Sequence, residues 1–432
     1  MSRRGGEAFG GGYRAAIRAS GFRRLLIGQA VSSLGDWVAT LAFIAAAFTL
    51  THGNQTAVAV VLVLRLVPPI FAAPIGGVVA DRAYRRTIMV TCDISRASLI
   101  ALAPFVGIGL LYAIAFVHES ISLFFLPARD ASVPMLVPEG ALAEANGLVL
   151  ATSYGSIPIA AALFSGLSAV ESHIPDALPF ASLFTRHRNT FAFFFDSATF
   201  VFSASMIARL QLKRQLRPEK VQIVEGVIEG FRYVLSRQGL RSLATGVLVS
   251  MFGGGVLFAV GIGYIHQTLH GSDVAFGWLT ALWGTGMGIG LAIVRLLIKD
   301  RGRAPTFLLA VTMCGAVLIV MALLPFLWLS FVAAVVFGTA FSVAILVALT
   351  TAQELAEDRI RGRIMGGVQL LFRVGLGAGA LGVGALAHYV RHVKMIISLD
   401  GNQVGLFAGG VLILLGAMAS SGLRLVGGGP GR

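Results

Sequence analysis

Gly77-Val78-Val79-Ala80-Asp81-Arg82-Ala83-Tyr84-Arg85-Arg86 is the stretch on which the reading of this chain turns. It is a charged turn set between two apolar runs, 56–80 and 87–108. Each run is long enough to cross hydrocarbon about 30 Å thick as a helix of roughly 20 residues. Backbone in lipid must satisfy its own hydrogen bonds, so helix is the expected form of both. Working outward, the same rhythm recurs. Spans are expected at 22–50, 56–80, 87–108, 109–132, 143–168 and 190–210, then at 242–267, 274–298, 305–325, 328–353, 364–388 and 403–424. The division between the third and fourth rests on Gly107-Ile108-Gly109 alone. The alternating pattern of a transmembrane barrel is absent.

Composition agrees. Of 432 residues, 56% are hydrophobic and 12% charged, with a mean hydropathy of +0.83, whereas soluble domains carry about a quarter charged residues. The net charge of +14 raises the question of nucleic acid. Most of the 34 basic residues, however, lie in short blocks between apolar runs on one side of the chain's path. These blocks are the N-terminal arginines up to Arg24, Arg82–Arg86, Arg129, the series from Arg209 to Arg241, Arg295–Arg303, Arg359–Arg363 and the C-terminal Arg424 and Arg432. The other side holds only Arg186, Arg188, Arg391 and Lys394. That asymmetry is the positive-inside rule, with both termini in the cytoplasm of a cell-membrane protein. It accounts for the charge without nucleic acid.

Cys92 and Cys314 both sit in apolar runs, so neither a disulfide framework nor a metal-ligand cluster is indicated, and no cofactor is implied. No Gly-x-x-x-x-Gly-Lys phosphate loop, His-Glu-x-x-His or Gly-x-Ser-x-Gly is present, which argues against an enzyme. The basic N-terminus precedes a run that carries Asp36 and is too long for a signal peptide, so it reads as an uncleaved first span.

The hydrophobic rhythm breaks at 211–240, where Val221, Val224, Ile228, Phe231 and Leu235 mark one face of an amphipathic helix over Pro218–Ser236. The chain thus divides into a Gly/Arg-rich flexible tail at 1–21, six spans over 22–210, a cytoplasmic linker at 211–240, six spans over 241–424 and a tail at 425–432. Asp300-Arg301-Gly302-Arg303 follows the second span of the second half as the opening motif follows that of the first. Related turns at matching places are what two-fold transporter folds show.

The 77–86 motif resembles the signature loop of the major facilitator superfamily: a glycine, Asp-Arg four residues on, then paired basics. Glycine lets two helices approach, and an acid at a helix end meets a dipole or a base, closing one side of a carrier until the contact breaks. The resemblance assigns Gly77, Asp81, Arg82, Arg85 and Arg86 to a cytoplasmic gate, with Tyr84 where many members have glycine. More of the chain resembles an efflux-type branch related to the enterobactin exporter and macrolide efflux proteins. Phe22–Leu26 and Ser33–Trp37 resemble its first span, Asp93–Arg96 its third, and Pro127–Ala131 with Pro134 and Ala145-Asn146 its fourth-to-fifth connection. Arg361-Gly362-Arg363 resembles its tenth-to-eleventh turn. In the fifth span, Gly155-Ser156-Ile157-Pro158 keeps the proline of the antiporter element while other residues replace its flanking glycines. The resemblance implies an all-α integral membrane protein: twelve transmembrane helices in two pseudo-symmetric six-helix bundles around a cavity, working by alternating access.

Ionisable groups in hydrocarbon cost about 2.5–3.5 kcal/mol each on insertion scales, so those inside spans are functional candidates. Asp36, Arg65 and Glu119 fall near mid-span, and Arg373 lies in the eleventh span. Glu119 is expected to be the first proton-coupling carboxylate and Asp36 the second; a permanent pair with Arg65 is the alternative for either. Burial disfavours a charged carboxyl and a nearby cation favours it, a balance that alternating access tips. Arg373 reads as an anion attractor or as one half of a pair. Asp93 and Arg96, three apart, read as a packing pair or part of the gate. Asp196 is family-like or a helix anchor. His118 adjoins Glu119, but neighbouring helical positions point about 100° apart, so it reads as locally satisfied.

These readings converge on a monomeric secondary transporter exporting a small amphipathic or hydrophobic compound in exchange for protons. A lipid or lysolipid flippase on the same fold and a non-transporting membrane sensor or scaffold remain open alternatives.

Overall fold

The computed structural model describes residues 5–68, 84–174, 189–212, 232, 238–355, 361–390 and 399–420. Gly77, Asp81 and Arg82 lie outside the described residues, as does the expected amphipathic helix apart from Arg232. By packing, the chain divides into two compact units: Met1–Ala46 with Val67–Val221, and Ala47–Leu66 with Gln222–Arg432.

The described residues are helical throughout their regular structure. The first unit holds α1 (Gly5–Arg18), most of α2 (Ser20–Leu50), α4 (Arg85–Leu102), α5 (Ile108–Leu136), α6 (Leu142–Gly155), α7 (Ile157–Ser172) and α8 (Thr190–Ala208). The second holds α3 (Gln55–Leu66), α9 (Gln238–Gly263), α10 (Asp273–Arg301), α11 (Arg303–Leu323), α12 (Leu327–Leu355), α13 (Arg361–Val390) and α14 (Gly401–Ser420). Among the described residues eleven helical stretches are long and apolar enough to cross a membrane, α6 and α7 counting as one; α3 is a shorter apolar helix at the start of the expected second span. Ile159, Leu296, Trp328 and Met418 are more than half exposed, an arrangement suited to a lipid surface rather than water.

Local chemistry sets the breaks. The third and fourth spans do divide at Gly107, whose extended backbone precedes α5. The fifth is interrupted at Ser156, where Pro158 in the first turn of α7 has no N–H to continue the helix before it. The N-terminal stretch expected as a flexible tail contains α1. Its end packs through Ala15, Ala16 and Ala19 into a core that also holds Phe22, Leu25, Met89, Phe125 and Ile207.

The second unit is held by helices in main-chain contact. A Cβ on Gly286 of α10 would strike the Val335 carbonyl of α12, and one on Gly338 of α12 would strike that of Trp283. Thr339 donates to the Gly286 carbonyl at 3.0 Å. Small residues at such crossings let dispersion and hydrogen bonding work without a hydrophobic drive, as lipid requires.

Candidate functional site

Four helices of the first unit, α2, α4, α5 and α8, bring together a group of ionisable side chains inside the spans. Gly35 sets their spacing: a Cβ there would strike Thr199 Oγ1 and Asp196 Oδ1, so only a bare backbone lets α2 come this close to α8. The next residue is Asp36, whose carboxylate Oδ1 lies 3.8 Å from His118 Nε2 on α5. Asp196 of α8 completes the group, with one ligating atom of each residue within 4.8 Å of the others. His118 and Asp196 are fully buried, while the Asp36 side chain is 31% exposed. Two members are therefore fixed inside the helices and the third is reachable.

Secondary contacts hold these groups in place. Thr199 donates to Asp196 Oδ1 at 3.2 Å, and Thr40 to the Asp36 carbonyl at 2.7 Å. The Phe200 ring lies 5.5 Å from the His118 ring.

Beside this group Asp93 and Arg96 form a buried ion pair on α4. Both are close enough to Asp36 to interact with it electrostatically. The Arg96 guanidinium lies between two aromatic faces, 4.5 Å from the Phe125 ring and 4.3 Å from the Phe200 ring, and donates to Ser122 Oγ at 3.3 Å. Aromatic faces stabilise a cation most where water is excluded. Ser197 ties α8 to α4 by donating to the Ala97 carbonyl at 2.9 Å.

Glu119 is half-buried, one position beyond His118. Arg65, in the last turn of α3, and Arg373, on α13, are half-buried in the second unit. Sequence reasoning gave His118 and Asp196 minor parts; the structure sets them around Asp36.

Of the expected gate residues that are described, Asp93 and Arg96 pair within α4, while Arg85 and Arg86 bond main-chain carbonyls. Arg85 donates to the Ala131 carbonyl near the end of α5 at 2.8 Å. Arg86 and Arg24 donate to the Leu210 and Arg209 carbonyls just past α8, at 3.3 and 3.1 Å. Terminal carbonyls lack helical partners and carry the negative end of the dipole, so cations are stabilising there. Tyr84 donates to the Leu212 carbonyl at 3.0 Å, and the Arg86 guanidinium sits 5.0 Å over its ring. Its φ of −72° needs no glycine.

A second polar cluster has no signal in the sequence. In the second unit Gln55 donates to Asn402 Oδ1 at 2.6 Å and to Gln267 Oε1 at 3.0 Å. Thr268 donates to Asp400 Oδ2 at 2.5 Å. Gln55 is fully buried and Asn402 is 2% exposed. Gln267 and Thr268 belong to a π turn, Tyr264–Thr268, a deformation frequent at functional sites. Uncharged amides in connections between spans leave no charge or motif to notice.

A sequence profile described as Major Facilitator Superfamily matches residues 25–380. The uncharacterized MFS-type transporter YfiS of Bacillus subtilis (strain 168) is 30% identical over 296 residues, 67% of this chain and 66% of that protein. A second from the same organism, YkuC, is 23% identical over 341 residues, 73% of this chain and 74% of that protein. Among solved structures, a point mutant of the nucleoside transporter NupG superposes with a TM-score of 0.72 at 11% identity, covering 94% of this chain and 100% of that one. A bacterial homologue of the human lysosomal transporter Spinster, inward-facing and unoccupied, gives 0.72 at 14% identity, covering 95% and 99%.

Proposed function

The chain belongs to the major facilitator superfamily, a family of multi-pass membrane transporters, and on that premise we propose that it is a secondary transporter of the cytoplasmic membrane that exports a small amphipathic or hydrophobic compound in exchange for protons. One observation carries the proton coupling: Asp36, His118 and Asp196 meet inside the spanning helices beside the Asp93–Arg96 pair. Charge in that environment is expensive, and structural packing does not require so much of it. Asp36 is the member that loads and releases the proton, since it alone of the three is partly exposed. Glu119 is the second coupling carboxylate, and Arg65 and Arg373 are further charges kept inside spans for substrate attraction or pairing.

On the cytoplasmic side, the 77–86 loop serves as the gate, with Arg85 bonded to α5 and Arg86 to the segment just past α8, and with Asp93 and Arg96 as part of it. On the outer side, the Gln55–Gln267–Asn402 cluster acts as a latch. Both termini face the cytoplasm, in keeping with the basic blocks. Export rests on the resemblance of 22–210 to efflux-type members.

The test is purified protein in liposomes with an imposed pH gradient, a pH-sensitive dye inside and candidate amphipathic compounds added outside. The reading expects compound-dependent proton movement that Asp36→Asn abolishes. A screen in which no compound moves protons, or full coupling in Asp36→Asn, overturns it.

A further inference from the structure

We propose that Asp36, His118 and Asp196 also form a binding site for a divalent first-row transition-metal ion of the Zn²⁺ type. The donor set is one imidazole and two carboxylates, from three helices. Such a mixed set suits Zn²⁺ and its neighbours and supplies too few oxygens for a Ca²⁺ cage. Tetrahedral bonds of about 2.0–2.2 Å from one ion hold ligand atoms roughly 3.3–3.6 Å apart. The 3.8 Å between His118 Nε2 and Asp36 Oδ1 is a few tenths of an ångström beyond that spacing. The widest separation in the group, at most 4.8 Å, closes when the side chains draw together by on the order of 1 Å.

The surroundings fit as well. Ligating carboxylates are ordinarily themselves hydrogen-bonded, and Thr199 donates to Asp196 Oδ1. The bare backbone at Gly35 lets α2 pack directly against Asp196, which brings Asp36 to the group. Three carboxyls, Asp36, Asp93 and Asp196, are gathered with one guanidinium, Arg96, so a divalent cation brings the group towards neutrality. His118 and Asp196 are buried while Asp36 is partly exposed, so the group is reachable from the Asp36 side.

Metal ligation needs deprotonated carboxylates and a neutral imidazole, so metal and protons compete. Among the described residues, Asp93 and Arg96 of α4 interact with Asp36, and Cys92 of the same helix interacts with Arg96; Glu119 follows His118 on α5.

The experiment uses the full chain, purified without a histidine tag and stripped with chelator, in detergent. Zn²⁺ is titrated by calorimetry and Co²⁺ by visible absorption. The expected result is one ion per chain, bound more weakly as pH falls. Asp36→Asn, His118→Gln and Asp196→Asn should each weaken binding by at least the roughly 10–100-fold that loss of an outer-shell partner costs. His173→Gln, an exposed histidine elsewhere, should not weaken it. Because a buried substitution can unfold the chain, His118→Cys gives a positive signature: retained Co²⁺ binding with a new thiolate-to-metal charge-transfer band. Absence of binding in the wild type, binding indifferent to all three ligand variants, or no new band in His118→Cys overturns the proposal. Metal binding without flux overturns only the transport reading, and flux without metal binding overturns only this one.

Discussion

Replacing Gly35 with alanine adds one methyl group where α2 meets α8. The added carbon would lie 3.0 Å from Thr199 Cβ and closer still to Thr199 Oγ1 and Asp196 Oδ1. Ordinary contact needs about 3.5–4.0 Å, so the helices must part by on the order of 1 Å or the two side chains must turn away. Overpacking of this kind costs about 1–3 kcal/mol. Against it stands the gain of removing a helical glycine, about 0.8–1 kcal/mol. The net expectation is a loss of up to about 2 kcal/mol and a carboxylate group spread beyond the reach of one proton or ion. Gly288, on α10, is the control, because a Cβ there meets nothing within 4 Å. Gly288→Ala should keep the propensity gain without the penalty. Thermal unfolding followed by size-exclusion chromatography in detergent reads both: Gly35→Ala should melt below wild type and Gly288→Ala at or above it. The liposome assay should show impaired proton coupling in Gly35→Ala alone. A Gly35→Ala protein that melts with Gly288→Ala and couples normally would refute the close approach.

Arg96→Gln leaves Asp93 buried without its ion-pair partner, and should cost about 3–5 kcal/mol and most of the folded yield, read as monodisperse protein after solubilisation. Arg96→Lys should recover only part of that loss, because a compact ammonium does not stack as a planar guanidinium does between Phe125 and Phe200. Gln55→Leu takes the Gln55 donor from Asn402 Oδ1 and Gln267 Oε1, although Asn402 still donates to Gln267, and should destabilise by about 1–3 kcal/mol in thermal melts. Gly338→Leu should be severely damaging, since the new side chain meets the Trp283 carbonyl rather than a movable group; normal expression and melting would contradict the α10–α12 contact.

The helices were legible because lipid imposes a length and a polarity on each of them. Gly107 marked a real division, and Pro158 a break that single-span counting passed over. The α1 helix was hidden by its glycines, although Ala15, Ala16 and Ala19 already carried a helical spacing. The candidate site was only partly visible. Asp36 stood out as a charge within an apolar run, whereas His118 looked satisfied by near neighbours and Asp196 looked like an anchor. Their meeting depends on three helices that are distant in sequence and on a glycine whose purpose is the absence of a side chain. No spacing along one helix encodes such a convergence. The amide cluster was less legible still, because Gln55, Gln267 and Asn402 carry no charge and lie 212 and 347 residues apart along the chain as counted from Gln55.

The main-chain contacts between α10 and α12 bear on how force moves through the second unit. Where Gly286 and Gly338 bring carbonyls against bare α-carbons, no rotamers lie between the helices to rearrange. Such a pair transmits a push as a solid beam does, without cushioning it. The irregular winding of the second unit lies elsewhere, in the π turn at Tyr264–Thr268, outside that rigid contact.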